Sequence, residues 1–357
     1  MASTGKSRLA GRSDRRVMNK LCYDIPVLLL HNMNPEWTSE ETLETEQDVA
    51  TLGNALKDLG HPLEIVTVRD DRLAQQLHNF NPRDYVVFNW CEELPGVPHS
   101  EPDVAAVMER MGFVFTGSSR DVLALAHDKP EIKRVLDDAN IPTPPWAVFD
   151  NTDVGEWNIF PSIVKAANEH CSIGISPESV VTTPKELENR VAFILDKYQQ
   201  PAIVEQFING REFLNAVWGN GHISMLPAVE MDYSELTDLR DRLFSYEAKY
   251  VAGSRLYESI DMRVPAELET SARAQLENVV IATYRATGCR DYGRIDVRYL
   301  NGIFYVIDVN PNPDINPQTS MTHAAAEIGY SYGQMGSRIV NLAAARHPIF
   351  SQQYNPA

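Results

Sequence analysis

The chain has 357 residues, 43% of them hydrophobic and 23% charged, a size and balance that predict two or three compact units of a globular protein. Its net charge of −17 excludes a general binder of nucleic acid or anionic membrane, while leaving room for a local basic pocket that takes a polyphosphate. No apolar run reaches the roughly eighteen residues of a membrane-spanning helix, and the four cysteines, Cys22, Cys91, Cys171 and Cys289, are isolated, which argues against structural zinc and for a reducing, cytoplasmic setting.

Residues 1–20, "MASTGKSRLAGRSDRRVMNK", are basic and poor in apolar side chains, and are read as a disordered basic tail outside the fold. "DIPVLLLHN" then predicts a strand. "SEETLETEQDVATLGNALKDLGH" predicts a helix, with Val49, Leu52, Leu56 and Leu59 at helical spacing and Gly60 past its end. "LEIVTV", a short helix over 72–77, "DYVVFNW", a helix over 102–111 and "FVFTGS" continue the alternation, which implies a small, mostly parallel α/β unit.

Two helical stretches follow and end at Asn140, where "IPTPP" forces extended chain. "SIVKAA" and "AIVEQFI" read as strands flanking a helix over 184–198. "FLNAVWGNG" and "HISMLPAVEM" read as a hairpin-like pair. A helix over 267–287 leads to "YGRIDVRYLNGIFYVIDVN", two strands turning at Asn301–Gly302, and the last helices cover 321–345.

That hairpin holds the first chemical signal. Asp296 and Asp308 lie five and six residues out from the turn on opposite arms, close enough to face each other across the pair. Two adjacent carboxylates repel unless a cation neutralises them, and with the amide oxygen of Asn310 they form a hard oxygen set suited to Mg²⁺ bound to phosphate. The competing reading is two solvated strand-end carboxylates beside a turn asparagine. Lys165 lies inside the apolar strand "SIVKAA", where an ammonium needs an anion, unless the strand is an edge that lets it reach water. Lys129 follows "AHD", Lys249 lies in "YEAKY", and the small, polar "NEHCSIGIS" can offer backbone N–H groups to phosphate oxygens. Neither GxxxxGK[ST] nor GxGxxG is present.

In order and spacing, "HDK", "IVKAANEHCSIGIS", "VEQFINGREF", "YEAKY" and "YGRIDVRYLNGIFYVIDVNPNP" resemble the ATP-grasp ligases, and among them the D-alanine–D-alanine ligase branch, over residues 126–316. The resemblance implies an α/β, three-domain ATP-grasp fold: an N-terminal parallel α/β unit over 21–118, then two α+β domains, 119–208 and 209–357, clasping ATP. It also implies roles. Lys129 and Lys165 hold the α- and β-phosphates, and Ser172 touches a terminal phosphate. Glu205, Phe207 and Ile208 bracket adenine, partly through main chain. Glu212 binds ribose and Lys249 meets the γ-phosphate. Asp296, Asp308 and Asn310 bind two Mg²⁺ ions, which Mn²⁺ can replace. Arg294 faces the transferred phosphoryl group, so that Arg294, Lys249 and Ser172 form the catalytic set. Segments 168–176 and 232–253 are the expected lids.

The acceptor side departs from that pattern. "LLLHNMNPEW" replaces the glycine-rich turn after the first strand, and "PNPDINPQTSMTH" replaces the Pro-Gly-Met and Ser-Leu elements. Asp314 and Ser320 are therefore the candidate substrate residues, with a capping turn aspartate as the alternative for Asp314. The expected activity is ATP-dependent joining of a small-molecule carboxylate to an amine, the substrates being amino acids or a small peptide, through an acyl phosphate with release of ADP and phosphate. D-alanine–D-alanine ligation is an alternative, and a non-catalytic ATP-binding regulator is another. No nucleic-acid or membrane partner is expected; a homodimer is common in the branch.

Overall fold

The computed structural model describes residues 21–352 apart from Cys171 and Ala252, so the basic segment 1–20 lies outside the described residues. Four parallel strands form the first sheet: β1 (Val27–Asn32), β2 (Leu63–Val68), β3 (Val86–Trp90) and β4 (Val114–Phe115), in the order β2-β1-β3-β4. All of β1 is buried, because helices cover both faces of a parallel sheet and select a continuous apolar run. Helix α1 (Ser39–Leu59) starts at a Thr38–Glu41 capping box and stops at Gly60, whose φ of 114° suits a residue without Cβ. Helices α2 (Leu73–Leu77) and α3 (Glu101–Met111) complete the crossovers.

Helices α4 (Arg120–Ala126) and α5 (Lys129–Asp138) lead into a second sheet, which is antiparallel: β5 (Trp146–Phe149), β6 (Ser162–Ala166), β7 (Val180–Val181) and β8 (Ala202–Gln206), ordered β5-β8-β6-β7. Helix α6 (Pro184–Tyr198) covers one face, where Val164, Ala166, Ala202 and Val204 meet Leu187, Val191 and Ile194. Strand alternation sends the intervening Lys165 and Glu205 to the other face.

The third sheet holds β9 (Arg211–Trp218), β10 (Ser224–Met225), β11 (Val229–Asp232), β12 (Asp261–Arg263), β13 (Tyr292–Leu300) and β14 (Ile303–Asn310) in the order β12-β11-β9-β13-β14, with β10 on β9. The expected pairing of "HISMLPAVEM" with the preceding strand is present, in two pieces that both run antiparallel to β9. Just Ser224–Met225 continues the hairpin before the chain turns at Leu226–Ala228, where Pro227 has no N–H for a ladder, and restarts as β11. Short helices α7 (Tyr246–Tyr250) and α8 (Arg255–Ser259) lie between β11 and β12, α9 (Thr270–Ala286) packs on the sheet, and α10 (Ser320–Glu327) and α11 (Tyr332–Ala344) end the fold.

Helix α11 returns to the first unit. Its Ile339, Val340 and Ala343 share one core with Val27, Leu29, Leu52 and Leu56. Close approach requires glycine: a Cβ at Gly333 would stand 2.6 Å from the Ala55 carbonyl oxygen. Among the described residues no helix is long and apolar enough to cross a membrane.

Asp291, fully buried before β13, ties these parts together. It accepts hydrogen bonds from Gly117 N–H at 3.1 Å and Asn220 Nδ2 at 3.0 Å, and pairs with Arg346 beyond α11. Breaking a buried pair leaves an uncompensated charge, so Asp291→Ala is expected to lower stability by about 3–5 kcal/mol in urea unfolding. A loss below about 1 kcal/mol would mean the junction does not depend on it.

Candidate active site

Period-two alternation puts Arg294, Asp296 and Arg298 of β13 on one face, while Ile295 and Val297 fill the core beneath α9. Asp296 stands directly opposite Asp308 of β14, and Arg294 opposite Asn310, with a bulge just after Asp296. The strands therefore bring the two carboxylates together. Arg294 grips Asp296 with Nε–Oδ1 at 2.7 Å and Nη2–Oδ2 at 3.0 Å, and Asn310 Nδ2 lies 3.3 Å from Asp296 Oδ2. Burial raises the Asp296 carboxyl above its ordinary value, Arg294 opposing and Asp308 adding. Asp308 opens onto the cleft. Enclosure works against its charge, but Lys129, Lys165 and Arg294 hold it below its ordinary value. Two carboxylates and an amide make an incomplete hard-oxygen shell that fits Mg²⁺ completed by phosphate and water; a closed all-protein cage of three or more His, Cys, Asp or Glu is absent among the described residues.

Three lysines converge on this floor. Lys129 begins α5, behind the Asp128 cap, and donates to the Glu169 carbonyl; burial pushes it below its ordinary value. Lys165 is 9% exposed, so it is no edge lysine reaching water. Its anion is part of the chain: Nζ donates to Glu205 Oε1 at 2.9 Å. On the other oxygen, Lys133 stands as an ion pair at 2.7 Å, and its ammonium donates to Thr143 Oγ1 at 2.7 Å. With two ammonium groups against one carboxylate, Glu205 gains and Lys133 loses. Burial alone would raise Glu205, yet Lys133 and Lys165 bring it down to about 2, while burial pushes Lys133 below its ordinary value. Glu205 was expected beside adenine; its carboxylate is committed to the lysines. Phe207 and Ile208 line the cleft, and the Phe207 N–H donates to the Pro161 carbonyl at 2.9 Å.

The expected lids meet. Lys249 Nζ donates to Ser172 Oγ at 2.8 Å, and Ser172 Oγ donates to the Phe244 carbonyl at 3.2 Å. Behind them lies a cleft of about 870 Å³, open mouth included, lined by Lys129, Lys165, Phe207, Glu212, Lys249 and Asp308. Ile208 and Ser172 also reach its wall.

The family profile described as D-ala D-ala ligase C-terminus matches residues 135–341, more than half of the chain. The chain belongs to the D-alanine–D-alanine ligase family. A D-alanine–D-alanine ligase of Moorella thermoacetica is 30% identical over 322 residues, covering 87% of this chain and 96% of that one. The uncharacterized protein y4sG of Sinorhizobium fredii is 32% identical over 301 residues, 82% of this chain and 86% of that one. The D-alanine–D-alanine ligase of Bacillus anthracis, solved as a complex with ATP, superposes with a TM-score of 0.67 at 18% identity, over 92% of this chain and 99% of that one, which shows the shared ATP-grasp fold. The family's members are ADP-forming ATP-grasp enzymes, and this one carries their three-part fold.

Against the family, the acceptor side of this ligase stands out. Asp314 accepts from Asn316 N–H at 3.0 Å and Nδ2 at 2.8 Å, the capping turn given as its alternative. Ser320 is buried in the first turn of α10, away from the cleft lining. Sequence reasoning passed over Lys133, one helical turn after Lys129, and Arg298, two residues after Asp296; both spacings were visible. It also passed over His170, whose ring stacks 3.9 Å from His127 and which burial, then Lys129 and His127, push down to about 3.

Because folding lowers Glu205 from 4.5 to about 2, its ionic contribution is present above pH 4.5 and is lost as pH falls from there toward 2. Glu205→Gln is expected to destabilise by about 3 kcal/mol at pH 7, with the gap to the parent closing below pH 4.5. Urea titrations from pH 7 to pH 3 check both; a gap that widens on acidification would exclude the assignment.

Proposed function

We propose that this ligase joins a carboxylate to an amine at the expense of ATP, forming an amide through an acyl phosphate and releasing ADP and phosphate. The observation that carries the reading is one cleft in which Lys129, Lys165 and Lys249 face the opposed pair Asp296 and Asp308.

ATP lies between the second and third sheets, its α- and β-phosphates against Lys129 and Lys165 and its γ-phosphate toward Lys249. Asp296, Asp308 and Asn310 hold two Mg²⁺ ions, which when bound neutralise phosphate charge and polarise the γ-phosphorus. A carboxylate oxygen of the acid substrate attacks that phosphorus, the β–γ bridging bond breaks, and ADP leaves. The amine nitrogen then attacks the acyl carbon, phosphate departs, and nitrogen gives up its proton. Arg294, fixed by Asp296, keeps a positive charge where negative charge grows. The Ser172–Lys249 latch joins the lids and keeps water from the acyl phosphate.

The amine lies on the side of Asp314, where acidic side chains gather: Glu92 is pushed up to about 8 by its enclosure, then by Asp314, Glu101 and Glu93. A cationic amino group answers that charge, which favours amino acids or small peptides over neutral acceptors. D-alanine–D-alanine ligation is the second reading, supported by the similarity to the Moorella thermoacetica enzyme.

ADP release, measured over a panel of amino acids and dipeptides with product masses recorded, is expected to require both an acid and an amine. Asp308→Asn is expected to lower kcat at least about 100-fold, since a hard-cation site loses one of two carboxylates, with the urea midpoint retained. Turnover at the parent rate would remove Asp308 from the metal site, and ADP release indifferent to amine would remove the ligase reading. D-alanyl-D-alanine as the dominant product would decide for the second reading.

A further inference from the structure

His170 lies in the 168–176 lid, two residues before Ser172, and belongs to the cleft wall. Its Nε2 is closed off from solvent and has no hydrogen-bond partner among the described residues. A buried polar atom without a partner is costly, so a ring nitrogen left this way beside a ligand cleft points to a group that arrives with the ligand. The ring itself is held. Its centroid lies 3.9 Å from that of His127, the residue that follows α4. His127 Nε2 stands 3.5 Å from Glu101 Oε2, and Glu101 Oε1 accepts from Asn312 Nδ2 at 3.0 Å. On the other flank His99 lies edge-on to His127 at 6.2 Å, with its Nε2 3.8 Å from Glu169 Oε1, an oxygen that also accepts from Gln200 Nε2 at 2.8 Å. The start of the lid is thus braced against the first unit and, through Glu101, against the loop after β14.

The surroundings set the state of the ring. Burial, then Lys129 and His127, favour the uncharged imidazole, with Asp308 opposing. An uncharged imidazole carries one N–H, and with Lys129, Lys165, Lys249 and Arg294 already supplying positive charge it adds direction to the site without adding a cation. A neutral donor of this kind polarises an oxygen on which negative charge grows. Lys129 and Asp308 on one side, and Ser172 with its partner Lys249 on the other, put the ring at the phosphate end of the cleft.

We propose that His170 is a further catalytic residue, donating from Nε2–H to an oxygen of the terminal phosphoryl group that ATP transfers, and that His127 is the positioning residue that sets its ring. This rests on the ATP reading above. The contact forms only when a third phosphate is present, so it separates ATP from ADP in the same cleft. It also ties closure of the 168–176 lid to the group being transferred.

Calorimetry with Mg²⁺ and either ADP or β,γ-imido-ATP, on the parent and two variants, tests this. His170→Phe keeps a ring against His127 but has no donor. Its affinity for the imido analogue is expected to fall about tenfold, the scale of one hydrogen bond to a charged group, while its affinity for ADP stays within about twofold of the parent. His170→Gln loses the ring but keeps a neutral N–H at similar reach, so both affinities are expected to stay within about threefold. A packing role predicts the reverse order, with the phenylalanine variant intact and the glutamine variant impaired. Thermal melts establish that each variant is folded. Parent affinities in His170→Phe, or equal losses in the two variants, would overturn the hydrogen-bond role, and a loss shared equally by ADP would overturn the assignment to the terminal phosphoryl group. A parent that binds neither nucleotide would remove the ATP reading itself, and this inference with it.

Discussion

Two carboxylates opposed across neighbouring strands are the constraint from which the site follows. Asp296 and Asp308 cannot both be charged at that spacing without nearby cations. The protein answers in two ways. Arg294 on the same strand locks Asp296, and lysines from the second unit shield Asp308. Because those lysines belong to another unit, Lys129 on α5 and Lys165 on β6, neutralising the pair also holds two units against each other. The cleft is then a place where positive and negative groups are balanced but not saturated, the condition a metal–polyphosphate complex needs.

The Lys133–Glu205–Lys165 group extends this logic below the cleft floor. Two ammonium groups share one carboxylate, so positive charge is left over where phosphate is expected. An excess of this kind is costly without ligand, and Glu205 keeps it tolerable. The carboxylate is a spacer for the lysines, a role its position at a strand end did not suggest.

Much of this could be read from residue order. The Asp296–Asp308 opposition followed from counting back to Asn301–Gly302, and the helix over 184–198 from its periodicity and flanking turn residues. What escaped was whatever depended on a third element. Lys165 was legible as a lysine needing an anion, but that Glu205 supplies it depends on the β6–β8 register. That the Phe207 N–H is taken by the Pro161 carbonyl likewise depends on a loop that residue order does not place. The two-residue β10 was masked by the apolar character of the segment around Pro227, since hydrophobicity reports burial, not ladder continuity.

The return of α11 to the first sheet bears on the order in which the protein can be made. Val27, Leu29, Leu52 and Leu56 emerge early in synthesis, whereas Ile339, Val340 and Ala343, which complete their core, emerge near the end. The first unit cannot finish its interior while the rest is still being translated, and its half-covered strands must wait with apolar surface showing. A chain interrupted before α11 would keep every phosphate and metal residue yet leave its opening sheet unsealed, a product suited to degradation and not to partial activity.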